Sequence, residues 1–392
     1  MTSHDLVEHG PAVKIPLTEP QFQLLRDLKV AHSSSRSASG LCTIKPGRKV
    51  GSIRLGGVQI NIRPKITELN RLLFFIGYHK NPAIWRDEFV RLDKAPGLYP
   101  AVAESFVRLA FAALEHGLLR GYRTTAESAA VMRGRIRFRE QLSRNYGAPL
   151  PMAVEYDDFT VDTAENRLLL LATLRLLNLP DIGSDARQQL IRLRAVLDEI
   201  TVVPRREGRP AVRPNRLNAR YRDVLELSEV ILDNSSFDQH GGPLAASGFL
   251  FDMWKIYEDF VTRAMAEAMR PYGGRPEFQA NEYMDVASKL KFIPDLIWYD
   301  NRNKPVAVVD AKYKAERPRG FPEADIYQVL AYCAVLGLKE GHLIYARGNE
   351  PETLHSIKTC NIAIHCHALD LAKPPNDLLK DVDSLARRIL HK

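Results

Sequence analysis

No Gly-Lys dipeptide occurs anywhere in the 392 residues. The phosphate-cradling loop G-x-x-x-x-G-K-[ST] is therefore missing, and this chain is not expected to bind a nucleotide through one. Cysteine is scarce: Cys42, Cys333, Cys360 and Cys366 are the only four, with no C-x-x-C among them. That excludes a disulfide framework and points to a reducing cytoplasm. No apolar run approaches the roughly 20 residues that span a bilayer. The stretch LLLLATLRLL is too short and contains Arg175. The start, MTSHDLVEHG, is polar and lacks the apolar core of a signal peptide.

Charge is present in abundance, and some of it stands where charge is costly. A formal charge of +8 suits a polyanionic partner. The length allows two or three domains, and 45% hydrophobic residues permit sizeable cores. The sharpest feature is IPDLIWYD-NRNKP-VAVVDAKYK. An apolar strand carrying Pro294-Asp295 is followed by a turn at Asn301, Arg302 and Asn303, then by a second strand carrying Asp310-Ala311-Lys312. Side chains alternate along a strand, so Asp310 and Lys312 face one way and Ala311 the other. The turn returns the first strand beside the second, so Asp295 can approach Asp310. A surface hairpin with exposed ion pairs is the plainer alternative. Val306, Ala307, Val308 and Val309 weigh against it, because they make the strand apolar on both faces. Two carboxylates and the Ala311 carbonyl form a hard oxygen site suited to Mg²⁺ or Mn²⁺. Lys312 would then sit near a bound water and a phosphate, as a positioning charge or proton handler.

Two helices extend the set. In ADIYQVLAYCAVLG, Gln328 and Tyr332 lie four apart on one face. Upstream, FLFDMWKIYEDFVTRAMAEAM reads as a helix with Leu250, Met253, Trp254, Tyr257, Val261 and Met265 on one side, and Glu258 is the acid expected at the metal. A solvated Glu258 and a partly buried Gln328–Tyr332 face are the ordinary alternatives.

Three regions are expected. Residues 1–90 read as β-rich, with HSSSRSASG (32–40) as a loop and strands at Gly51–Leu55 and Val58–Ile62 joined by Gly56-Gly57. Residues 91–240 read as mostly helical, with two basic features. Arg133, Arg135, Arg137 and Arg139 alternate with Gly134, Ile136 and Phe138, as for a strand with one guanidinium face. Arg205, Arg206, Arg209, Arg213, Arg216, Arg220 and Arg222 follow in a proline-broken loop entering a helix. Both suit DNA phosphates; a solvated basic surface, or one that meets an acidic protein partner, is the ordinary alternative. Residues 241–392 begin at Gly241-Gly242-Pro243 and read as a mixed α/β sheet with flanking helices. GHLIYA (341–346) and TCNIAIHCHALD (359–370) are its late strands. Alternation on a strand explains Cys360, His365, Cys366 and His367 more simply than zinc, whose paired-loop spacing they lack. The final helix, NDLLKDVDSLARRILHK, is amphipathic.

The ordered set of Glu helix, P-D strand, D-x-K strand and Q-x-x-x-Y helix resembles metal-dependent nucleases of the PD-(D/E)xK type. More closely, it resembles McrC, the endonuclease subunit of McrBC-type restriction systems for 5-methylcytosine DNA. Lys49–Lys65, with V-G-S-I-R-L-G-G and I-R-P-K, resembles that family's N-terminal β region, and Leu72–Tyr78 fits the following helix. Arg133-Gly134-Arg135 and Tyr156–Arg167 resemble its internal blocks. The resemblance covers most of the chain from about residue 40, and the first forty residues carry none of it. It implies Mg²⁺-dependent DNA cleavage at Asp295, Asp310, Lys312, Glu258, Gln328 and Tyr332. It also implies docking of the N-terminal region in the pore of an McrB-like AAA+ GTPase ring, which would read the modified base. A docking adaptor that stimulates the partner, and a stand-alone RecB-like repair nuclease, are the competing readings.

Overall fold

The computed structural model describes residues 2–37, 40–65, 71–80, 98–144, 146, 148–179, 182–204, 208–234, 246–313, 322–346, 352–358 and 360–390. The fold is mixed α/β. It divides into two compact units, Met1–Ala101 with Asn234–Lys392, and Val102–Asp233. The chain's first and last regions therefore share a unit rather than forming separate consecutive domains.

The join is a strand. Ala246–Asp252 pairs antiparallel with Lys49–Leu55, in a four-stranded sheet that continues through Val58–Arg63 to Thr2–Val7. This corrects the expected helix from Phe249. The helix spans Met253–Met269, and Leu250 belongs to the strand, opposite Gly51. Gly51 has φ +127°, and a Cβ there would stand 2.1 Å from the Phe249 carbonyl oxygen, so only glycine fits the crossing. Trp254 is also misplaced by periodicity: it is 38% exposed, while Met253, Tyr257, Val261 and Met265 are buried. The hairpin at Gly56-Gly57 forms as expected, with Leu55 opposite Val58.

The serine-rich stretch from His32 is not a loop throughout. Ala31–Arg36 is a strand paired with Leu41–Pro46, which itself pairs with Val13–Pro16. Polar residues suffice here because the neighbouring strand supplies the backbone partners. Helix Glu19–Asp27 closes this region. The Gln21 side chain accepts the Thr18 N–H at 2.8 Å and donates to the Leu55 carbonyl at 2.8 Å. Ile15, Phe22, Leu25, Ile44, Ile53 and Ile60 form its core.

The second sheet of this unit has six strands, in the order Arg275–Phe278, Leu296–Tyr299, Pro305–Lys312, Glu340–Ala346, Ala363–Leu369, Thr353–Ser356. The pairings of Glu340–Ala346 with both neighbours are parallel; the others are antiparallel. Helix Glu323–Leu336 returns the chain between two parallel strands, as such a crossover requires. It lies close: a Cβ at Gly341 would stand 2.4 Å from Val329 Cγ1 and 2.6 Å from Cys333 Sγ. Helix Met253–Met269 packs against Arg71–Lys80 through Phe74, Phe75, Tyr78 and Phe260, with Phe75 and Phe260 centroids 4.7 Å apart. The C-terminal helix, Pro375–Leu390, buries one face that includes Leu378, Val382 and Leu385.

The other unit carries helices, as expected, and also a sheet that was not expected. Met152–Thr160 pairs antiparallel with Gly121–Ala129 and with the short Arg135–Ile136. Polar contacts fix the segment that leaves its last strand. Asp162 accepts from Arg167 at 2.7 and 2.6 Å and from the Thr201 hydroxyl at 2.7 Å. Burial pushes this carboxyl up, but the hydrogen bonds from Arg167 and Thr201 outweigh it and hold it well below the usual range.

Replacing Gly341 tests how tightly helix Glu323–Leu336 is seated. Gly341→Val should cost about 1–3 kcal/mol by overpacking, read as a lower midpoint in thermal or urea unfolding. An unchanged midpoint would mean that the helix has room the geometry denies.

Candidate active site

The turn between the two key strands is built locally. Asp300 Oδ1 accepts the N–H groups of Arg302 and Lys304, each at 2.8 Å, and Asn303 takes φ +62°, which asparagine tolerates. The resulting register sets Leu296 opposite Val309. Asp295, just before the first strand, therefore arrives beside the second: its Oδ2 accepts the Ala311 N–H at 2.8 Å. Asp310 is 1% exposed, and Lys312 Nζ is ion-paired with Asp310 Oδ2. The strand is buried from Ala307 to Ala311, but Val306 at 42% exposure is not, so the apolar run is one-sided at its start.

Glu258 completes an acidic cluster. Burial, then the charges of Asp310 and Glu258, push Asp295 up to about 8. Burial raises Glu258 to about 7, with Lys312 pulling down and Asp310 pushing up. Burial pulls Lys312 down, but the Asp310 and Asp295 charges outweigh it and hold the ammonium above its ordinary value. Among the described residues, Asp295, Asp310 and Glu258 thus crowd around Lys312, and two of them compensate by holding protons near neutral pH. The donors are all oxygen, and the excess negative charge is what a divalent cation would relieve, so the residues fit Mg²⁺.

Gln328 and Tyr332 reach the same place. Gln328 Nε2 donates to Tyr332 Oη at 2.5 Å, and Tyr332 stacks on Phe292 with centroids 5.1 Å apart. Burial and the Asp310 charge keep the Tyr332 phenol protonated. Sequence reasoning missed Asp325, one turn earlier on this helix. It is buried, accepts from Tyr345 Oη at 3.0 Å, and its charge acts on Lys312. Its spacing three residues before Gln328 was the available signal. Glu8 was also missed, in the stretch that carried no family pattern. It is 1% exposed and accepts from Tyr313 Oη at 2.9 Å, directly after Lys312. Burial pushes Glu8 up to about 7, against the hydrogen bond from Tyr313.

A cavity of about 450 Å³ opens beside Glu258 and Asp295, and His79, Lys255 and Arg263 bring basic groups to it. The expected DNA-contacting arginines lie in the other unit. The strand at Arg135 stops at Ile136, and a helix begins at Phe138, so the alternation does not continue into a guanidinium face. Arg133 is exposed, Arg135 pairs with Glu155, and Arg137 bonds Glu140 at 2.5 Å. Arg209 bonds Asp233 and the Leu232 carbonyl. Arg205 and Arg206 lie outside the described residues.

The sequence from residue 44 to 346 places this chain in the class of restriction-system components. The chain is a member of the family of McrBC 5-methylcytosine restriction system components, whose model matches residues 44–346. Its fold is similar to a chain of the refined half-complex from the tetradecameric assembly of Thermococcus gammatolerans McrB AAA+ hexamers with bound McrC. That match has TM-score 0.62 and 19% identity, over 99% of each chain. A chain of the Thermococcus gammatolerans McrBC complex matches more loosely, with TM-score 0.42 and 20% identity over 68% of this chain and 88% of that one. No curated protein matches the chain. Among the described residues, no helix is long and apolar enough to cross a membrane.

The raised carboxyls make the metal-free fold pH-sensitive. Folded values near 8 for Asp295 and 7 for Glu258 exceed their ordinary 3.8 and 4.5. Their stabilising share is therefore complete below the unfolded values and lost as pH rises through about 7–8. In EDTA, wild type should lose several degrees of melting midpoint relative to Asp295→Asn between pH 6 and pH 9. Mg²⁺ should restore the wild type only. Parallel pH profiles for the two proteins would contradict the acid cluster.

Proposed function

We propose that this chain is the DNA endonuclease subunit of an McrBC-like, modification-dependent restriction system, a Mg²⁺-dependent hydrolase of phosphodiester bonds. The observation that carries this reading is the convergence of Asp295, Asp310 and Glu258 with Lys312 on adjoining buried elements. Asp295, Asp310 and Glu258, with the Ala311 carbonyl, would hold Mg²⁺ or Mn²⁺. When bound, the cation supplies Lewis acidity to the scissile phosphate and to the attacking water. Lys312 remains an ammonium and offers a fixed positive charge to a phosphate oxygen or that water. Gln328 fixes the Tyr332 hydroxyl, and the protonated phenol is a donor that can orient the strand or the water. Lys255 and Arg263, which line the cavity, would attract the polyanion. Arg133, Arg135, Arg137, Arg205, Arg206 and Arg209 are proposed as further DNA contacts.

The partner belongs to the same proposal. McrB AAA+ hexamers carry bound McrC in the Thermococcus assembly. Membership in the family favours a comparable AAA+ GTPase ring for this chain, which itself lacks a P-loop lysine motif. Recognition of the methylated base is assigned to that ring. The Glu8–Tyr313 hydrogen bond favours mechanical coupling, because it ties the N-terminal strand region to the residue after Lys312.

Asp310→Ala should reduce cleavage of methylated DNA by about a hundred- to a thousand-fold, the scale of losing a catalytic electrostatic group. It should leave assembly with the ring and its GTP turnover intact. Wild-type cutting by the purified Asp310→Ala complex would remove the site assignment. Separately, a chain lacking the first 90 or so residues should fail to stimulate the partner's GTP turnover. Undiminished stimulation would remove the docking assignment and leave the nuclease assignment standing.

A further inference from the structure

Three histidines meet on the two parallel strands Glu340–Ala346 and Ala363–Leu369. His342 is directly opposite His365 in the register, and His367 is opposite Ile344. Each can offer one ring nitrogen such that all three atoms lie within 4.8 Å of one another, and among the described residues this is the one such cluster. His342 Nδ1 and His367 Nε2 are 3.2 Å apart. That is close to the spacing of two nitrogens about 2.0–2.1 Å from one tetrahedral zinc. His342 and His367 are buried and His365 is partly open, so the cluster has an entrance.

The surroundings of the rings add an independent observation. His367 Nδ1 stands 3.5 Å from Glu352 Oε1, and His365 Nε2 stands 3.3 Å from Glu340 Oε2. Glu352 is itself gripped by Arg388, at 2.7 and 2.9 Å. A carboxylate behind the outer nitrogen is the arrangement that orients metal-ligating histidines and raises their basicity. Here it occurs on two of the three rings. We infer that His342, His365 and His367 form a binding site for a late divalent transition metal of the Zn²⁺ class, separate from the carboxylate site. The rings are stacked, with interplanar angles of 25°, 23° and 2°. Binding therefore requires them to turn toward a common point while the parallel register holds their backbone in place.

The site's chemistry separates it from the acid cluster. Imidazole nitrogen prefers Zn²⁺, Co²⁺ or Ni²⁺, whereas Asp295, Asp310 and Glu258 prefer Mg²⁺. The test uses the full chain without a histidine tag, titrated with Co²⁺ in excess Mg²⁺. Wild type should retain one equivalent of Co²⁺, with the visible absorption of nitrogen-ligated cobalt. His365→Ala, at the least buried ligand, should weaken that binding at least ten-fold and abolish the band. Asp310→Ala should keep both. His365→Gln serves as the second variant if the alanine form fails to fold by circular dichroism. No retained Co²⁺ in wild type would overturn the site, as would an undiminished equivalent in a folded His365 variant, or its loss in Asp310→Ala.

Discussion

Negative charge held inside an apolar sheet is the constraint on which this structure turns. Asp310 is almost wholly removed from water, and Asp295 and Glu258 are close enough for their charges to act on each other. Lys312 neutralises one of the three. The remainder can be met by protons or by a cation, and the raised values of Asp295 and Glu258 put that competition near neutral pH. A cluster with only weak internal compensation stays responsive to metal, whereas a fully ion-paired set would have no use for one.

That cluster exists only because distant segments agree on where to put it. Gly341 lets helix Glu323–Leu336 approach until Gln328, Tyr332 and Asp325 arrive on the Asp310 side. Tyr257 donates to the Ile344 carbonyl at 3.2 Å, which fixes the helix carrying Glu258 against the central strand. Glu8 adds a third tether through Tyr313. Each tether is a single polar contact or close approach set within apolar packing. Small displacements of these elements therefore translate directly into the spacing of the acids.

The site was legible where local pattern and tertiary outcome coincide. Asp295, Asp310 and Lys312 stood out because charges on apolar strands demand an explanation from a short window. Gln328 and Tyr332 followed from helical spacing, and the Gly56-Gly57 hairpin from turn chemistry. Leu250 was misread because its strand partner, Gly51, lies about two hundred residues away, and nothing local distinguishes a buried strand from a helix over a short apolar run. Ala31–Arg36 was missed because its partner strand, rather than its own composition, makes it a strand. Arg133–Arg139 looked like one alternating strand, but the helix beginning at Phe138 cuts the period, and Glu155 gathers two of the arginines. The sequence offered zinc only Cys360, His365, Cys366 and His367, whose spacing speaks against it, and His342 joins His365 only through the pairing of parallel strands.

The register between Pro305–Lys312 and Glu340–Ala346 has a consequence for metal chemistry. Val309 pairs with His342, and Asp310 pairs with Leu343 on the next rung. Paired residues in parallel strands share a face and successive residues alternate, so the Asp310 carboxylate and the His342 imidazole point from opposite faces of one sheet. The Asp310 carboxylate therefore leaves one face of the sheet and the three imidazoles the other, offset by a single residue of register. A slip of one residue would bring the two donor sets onto the same face and let a nitrogen-preferring metal compete for the acids. The packing of Val329 and Cys333 over Gly341 opposes that slip, so the contact that seats the Gln328 helix also keeps the two kinds of donor apart.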